Sequence, residues 1–154
     1  MEPGTLLDQR EIPTVSSGSR AWWVRYASAD LFGRATESTG VVVAPSTAGR
    51  DRPVVTWCHG TTGLGDASVP SAQDGCTGEL ITYPEPTDAS QIDCGVPGMQ
   101  TFLDAGCVVV ATDYQGLGTP GFHHYTVHGT GARDAVYGVH AARAIDAAGA
   151  GTRC

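Results

Sequence analysis

No stretch of this 154-residue chain reaches the roughly 18 consecutive apolar residues that a bilayer-spanning helix needs. Basic residues are scarce, 9 against 16 acidic, for a net charge of −7. They form no cluster, which argues against nucleic acid and anionic membrane surfaces as partners. Charged residues make up only 16% of the chain. The first thirty residues, with Glu2, Asp8, Arg10, Glu11 and Pro13, hold no apolar core of a secretory leader. That reads as a cytoplasmic protein or as a chain whose leader has been removed. The five cysteines show neither a CxxC pair nor zinc spacing, and their odd number leaves at least one thiol unpaired within the chain. Cys58 and Cys107 lie in apolar runs and read as small core residues. Cys76 and Cys94 bracket a polar loop, where a disulfide and two free thiols are both open readings.

What the chain does have is 41% hydrophobic residues and 21 glycines, the profile of a globular domain with many tight turns. Its length suits one domain rather than two. Residues 1–19 read as irregular. Residues 21–28 (AWWVRYAS) and 37–44 (ESTGVVVA) read as an antiparallel hairpin around a turn at 30–33. Residues 53–58 (PVVTWC) and 107–112 (CVVVAT) read as strands buried on both faces. Between them lie a long polar segment, 64–97, and a short helix over 98–105. Residues 113–131 read as a Gly-rich loop. An Ala-rich helix is expected over 133–148, with Ala132, Val136, Val139 and Arg143 on one face and Ala135 and Ala142 alongside. The order predicts an α/β fold: a mixed, mostly parallel sheet with flanking helices, antiparallel strands first and parallel crossovers after. Residues 20–154 form part of a single domain in this reading.

The first motif is His59-Gly60-Thr61-Thr62-Gly63, directly after a buried strand. Acyl transfer needs hydrogen-bond donors aimed at the oxyanion of a tetrahedral intermediate. A Gly-rich turn at the carboxyl end of such a strand can supply backbone N–H groups, and Thr61 or Thr62 a hydroxyl. The plainer reading is a tight turn. His59 itself reads as structural rather than as a general base.

The second motif, Gly116 to Gly121 (GLGTPG), matches G-x-G-x-x-G. Pro120 would lie where a phosphate-binding helix opens, and Asp134 sits in a helix rather than at the end of the next strand. Dinucleotide binding is therefore rejected. His123, His124 and His128 cluster in the same loop. His124 and His128 would share a face only in a helix, and no Glu is close, so a cleft border is favoured over a metal site. Asp113 follows a buried strand, where it would orient a loop or cap the strand end. No serine has the flanking glycines of a nucleophile elbow, G-x-S-x-G, and no cysteine has a nucleophile's context.

Several segments together resemble the secretory lipase family of α/β-hydrolases. These are PGTLL at 3–7, RYASAD at 25–30 with Gly33, GVVVAP at 40–45, RPVVTWCHGTTG at 52–63 and, most specifically, CVVVATDYQGLGTPG at 107–121. The chain departs from the family at Ser68, where many members carry a cysteine of a loop disulfide. The resemblance implies the N-terminal part of an α/β-hydrolase domain, with the sequence stopping before the nucleophile elbow. It implies a carboxylic-ester hydrolase, a triacylglycerol lipase or lipid esterase, whose Ser-His-Asp triad lies beyond Cys154. It places Thr61 or Thr62 at the oxyanion hole, with His59, Gly60 and Gly63 supporting the turn. Asp113, Tyr114, Gly116, His123 and His124 would border the substrate pocket. It implies secretion and a lipid or other carboxylic-ester substrate, with no metal or organic cofactor, and leaves the oligomeric state open. Two other readings stand beside it. One is a non-catalytic hydrolase-like binding module or degraded gene product; the other is a different α/β-hydrolase, such as a peptidase or small-ester hydrolase. The implied topology puts residues 54–57 beside the missing nucleophile strand, so one edge of that strand should be unpaired.

Overall fold

A computed structural model describes residues 1–72, 92–93 and 96–154. Cys76 and Cys94, and with them the disulfide reading, lie outside the described residues. Strands β1 (Leu6–Ile12), β2 (Ser19–Ala29), β3 (Ala35–Pro45) and β4 (Val54–Cys58) come first. A two-residue pair, β5 (Ile92–Asp93) and β6 (Val96–Pro97), precedes helix α1 (Met99–Asp104), strand β7 (Val108–Thr112) and helix α2 (His128–Ala142). The main sheet has the order β1-β2-β3-β7-β4. β1, β2, β3 and β7 pair antiparallel, and β4 pairs parallel with β7 after the α1 crossover. The expected mixed sheet with flanking helices is present, although in its described part three of the four strand pairings are antiparallel and only β4 with β7 is parallel.

Alternation along the central strands builds two cores. Val42, Val108 and Val110 face α2 together with Trp22, Val24 and Tyr26. Val41, Val43 and Val109 face α1, where Met99 and Leu103 cover them. Each fully buried valine contributes about 1.5–3 kcal/mol of transfer free energy. α2 lies close on the sheet because its contact residue is Gly138: a Cβ there would sit 3.2 Å from both the Tyr26 hydroxyl and Val110 Cγ1. The buried Tyr26 hydroxyl pins the helix, donating to the Asp134 carbonyl at 2.9 Å and sharing a 2.6 Å bond with Thr112 Oγ1.

Four expectations need correction. Residues 1–19 are not irregular throughout, since residues 6–12 form edge strand β1. Its LLDQREI sequence has no clean alternation because an outer strand buries little, and the β2 main chain supplies its order. α2 starts at His128 and stops at Ala142 rather than running 133–148. Its buried residues are Thr130, Asp134, Ala135, Gly138, Val139, Ala141 and Ala142, while Val136 and Arg143 are exposed. In an Ala-rich helix the apolar stripe is too broad to fix the face, and the close approach at Gly138 decides it. Finally, β4 is buried on one side only at its start: Thr56 and Cys58 are exposed, and Cys107 is half-buried. Cys58 is therefore no core residue, because β4 is the last strand of the sheet.

Among the described residues, the outer edge of β4 is occupied only at its beginning. Arg52 forms a parallel bridge with Ala150, and the Gly151 N–H donates to the Arg52 carbonyl at 2.8 Å. The Val54 N–H donates to the Arg153 carbonyl, also at 2.8 Å. Past Val54, no described residue pairs with that edge.

Candidate active site

The carboxyl ends of β4 and β7 open on one cleft of about 530 Å³. One wall is the turn that follows β4, His59, Gly60, Thr61, Thr62 and Gly63. The other is the segment between β7 and α2, with Tyr114, His123, His124 and Tyr125, and the first turns of α2 with Thr130 and Asp134. The sequence named the residues of the first wall and, in the second, Tyr114, His123 and His124; Asp113 and Gly116 do not line the cleft. It missed Tyr125 and Thr130 and saw Asp134 only as a rejected ribose contact.

Asp113 and Tyr114 hold the turn at its start. The Tyr114 hydroxyl donates to the His59 carbonyl at 3.2 Å, and His59 Nε2 lies 3.3 Å from the Asp113 carbonyl. The two rings sit 4.6 Å apart. Tyr114 adopts φ +68°, a left-handed conformation for a bulky residue that the flanking contacts must impose. The Asp113 carboxylate holds a later part of the same segment: Ser71 donates to it through its N–H at 2.9 Å and its hydroxyl at 2.5 Å, and the Thr39 hydroxyl at 2.6 Å. Burial pushes its carboxyl above the usual range, and those donors oppose the shift. Asp113 is thus a buried loop anchor, consistent with loop orientation, and it does not line the cleft.

The segment carrying Gly116 to Gly121 forms turns, and α2 begins only at His128. No helix opens on these glycines. Gly116 is required for shape. Its φ is +77°, and a Cβ there would lie 2.3 Å from the His123 nitrogen. Gly116→Ala is expected to cost roughly 2–4 kcal/mol in urea unfolding, from left-handed strain plus overpacking; a loss below 1 kcal/mol would contradict the close approach. His123 Nδ1 lies 3.0 Å from the Gln115 carbonyl. His124 and His128 do not share a helical face, since residues 123–127 precede α2.

Asp134 is fully buried, accepting from the Ser28 hydroxyl at 2.5 Å and the Gln115 N–H at 3.0 Å. Burial raises its pKa to about 6, against the pull of those donors and of His123 and His124.

The two candidate hydroxyls differ. Thr61 Oγ1 is hydrogen-bonded to the Tyr125 hydroxyl at 2.5 Å across the cleft. Thr62 Oγ1 is buried and finds no hydrogen-bond partner among the described residues, nor does Thr130 Oγ1 on the other wall. Both residues line the cleft.

Comparison with solved structures identifies the fold. The chain is an α/β-hydrolase fold in part. It superimposes on the rice cell wall degrading esterase LipA from Xanthomonas oryzae with a TM-score of 0.66 at 21% identity, covering 93% of this chain and 38% of that one. On Candida antarctica lipase A in its closed state the TM-score is 0.67 at 13% identity, covering 92% and 32%. The chain thus spans under two-fifths of either neighbour's length. No protein-family model and no curated protein matches the sequence. In the described residues no helix is long and apolar enough to cross a membrane.

Proposed function

We propose that this chain is the N-terminal part of a serine-dependent carboxylic-ester hydrolase acting on acylglycerols or related lipid esters. Its nucleophile, acid and histidine would be supplied from outside residues 1–154, and the side-chain half of the oxyanion hole is Thr62. The observation that carries the reading is the contrast between the two threonines. A buried hydroxyl without a partner is costly, and a catalytic role is one of the reasons a native protein keeps one. Thr62 has that vacancy at the cleft, whereas Thr61 is occupied by Tyr125. The position, in the turn after a strand that pairs parallel with β7, is where an oxyanion donor is needed in this fold. Support for esters comes from the neighbours, an esterase and a lipase. Support for lipid esters comes from the family resemblance and from apolar side chains around the mouth: Val127 and Tyr125 line it, and the adjoining Phe122 is 90% exposed.

The test uses the product of the complete reading frame with p-nitrophenyl esters of increasing acyl length. Thr62→Val is expected to lower kcat about a hundredfold with KM little changed, as loss of one oxyanion donor does. Thr62→Ser should retain most of the activity. Wild-type kcat in Thr62→Val, or no ester turnover by the complete protein, contradicts the proposal.

A further inference from the structure

Residues 59–63 hold two glycines, and neither Gly60 nor Gly63 brings a side chain to fix the path. The start of the turn is fixed by Tyr114 and Asp113 through His59, and the end of the loop by Asp113 through Ser71. The middle is fixed across the cleft, by the Thr61–Tyr125 hydroxyl pair at 2.5 Å. Tyr125 is itself held from the α2 side. Asp134 accepts from the Gln115 N–H, and the Gln115 carbonyl meets His123 Nδ1. The His123 ring lies 6.1 Å from that of Tyr125. The residue after Tyr125, Thr126, adopts φ +63°. A β-branched residue in that region costs on the order of 1 kcal/mol or more, and it persists only where its surroundings over-determine it. Here the Val127 N–H donating to the His124 carbonyl at 3.0 Å closes the turn.

We infer that Tyr125 is a positioning residue for the oxyanion turn: its hydroxyl holds Thr61 against the opposite wall, and so leaves the Thr62 hydroxyl as the free donor. This rests on the proposed hydrolase reading for its purpose, but the coupling between Tyr125 and the turn is a property of this chain. Tyr125 touches no reacting atom in this account. It acts through Thr61. Both partners of the pair lie at the surface, with Tyr125 46% exposed, so removing one hydroxyl leaves the fold intact.

Amide 15N relaxation on the complete protein reads the coupling directly, because the amides of residues 60–63 donate to no described residue and so report the motion of the turn itself. In Tyr125→Phe, the order parameters at residues 60–63 are expected to fall from the rigid range to about 0.6 or below. Thr61→Val should give the same fall, and Thr61→Ser, which keeps the hydroxyl, should not. The double variant should be no more mobile than either single one, since both remove the same bond. Melting temperature should stay within about two degrees. Tyr125→Phe should lower kcat about fivefold with KM unchanged, the equivalent of one net hydrogen bond. Unchanged order parameters in Tyr125→Phe, or additive effects in the double variant, overturn the inference. If the relaxation results hold while the complete protein shows no ester turnover, the positioning stands and the hydrolase reading falls.

Discussion

Asp113→Ala is expected to lower the unfolding free energy by about 3–5 kcal/mol in urea titration. The carboxylate is 1% exposed and accepts three hydrogen bonds, two from Ser71 and one from Thr39. Ser71 and Thr39 are themselves buried, so alanine leaves three donors in a dry interior without an acceptor. An unsatisfied buried donor costs roughly 1–3 kcal/mol, and three neighbours sharing one cavity are less than additive. Asparagine keeps one acceptor oxygen and turns an NH2 toward the remaining donors, so it should fall between wild type and alanine. The loss should be accompanied by faster exchange at residues 66–72, the loop that Asp113 anchors. A loss under 1 kcal/mol would show that Ser71 finds another acceptor and that the anchor is dispensable.

The second large effect is a dependence of stability on pH, set by Asp134. Burial raises its folded pKa to about 6 from an ordinary 3.8. Below 3.8 the carboxyl is protonated in both folded and unfolded chains, and its contribution is fully favourable. Between about 4 and about 6 the unfolded chain has released the proton while the folded chain still binds it, so stability falls as pH rises. Above about 6 both are ionised and the loss is complete. The gap corresponds to on the order of 3 kcal/mol. Asp113 is raised too and works in the same direction. The comparison that isolates Asp134 is Asp134→Asn against wild type from pH 4 to pH 7.5. The stability difference should move in favour of the variant by on the order of 3 kcal/mol as pH rises. Parallel curves would mean that the Gln115 N–H and Ser28 hydroxyl hold the carboxylate ionised at low pH, and that its burial is compensated.

Much of the fold was legible because its central strands are short unbroken apolar runs, as strands buried on both faces are. VVVA at 41–44 and VVVAT at 108–112 supply both core faces, and the structure pairs them in the sheet centre. β1 was not legible: an edge strand of charged residues takes its order from its neighbour. The start of α2 was hidden by Gly129 and Gly131, poor helix formers that tertiary contacts nonetheless hold in the helix. The exposure of Cys58 and Thr56 depends on which strand ends the sheet, and strand order is not written in a short apolar run.

The candidate site shows the same division. The turn from His59 to Gly63 and the residues Tyr114, His123 and His124 were legible as motifs and do meet at one cleft. Asp113 and Gly116 stand behind it as supports. Choosing between Thr61 and Thr62 required knowing that Tyr125, 64 residues along the chain, takes one of them. No local pattern encodes that partner. The role of Asp134 likewise comes from the meeting of α2 with Ser28 on β2 and Gln115 after β7.

The bridge from Arg52 to Ala150 and the bond from Val54 to Arg153 lay residues 150–153 along the outer edge of β4, where the proposed enzyme would add a parallel strand. In the proposed enzyme that strand leads to the nucleophile. Fluorophosphonate labelling of the complete reading-frame product, with the modified peptide mapped by mass spectrometry, tests this most directly. The account expects the label on a serine downstream of Cys154, flanked as in G-x-S-x-G, and none on the serines of residues 1–154. Label on a serine within these 154 residues, or a complete product without a phosphonate-reactive serine, would contradict it.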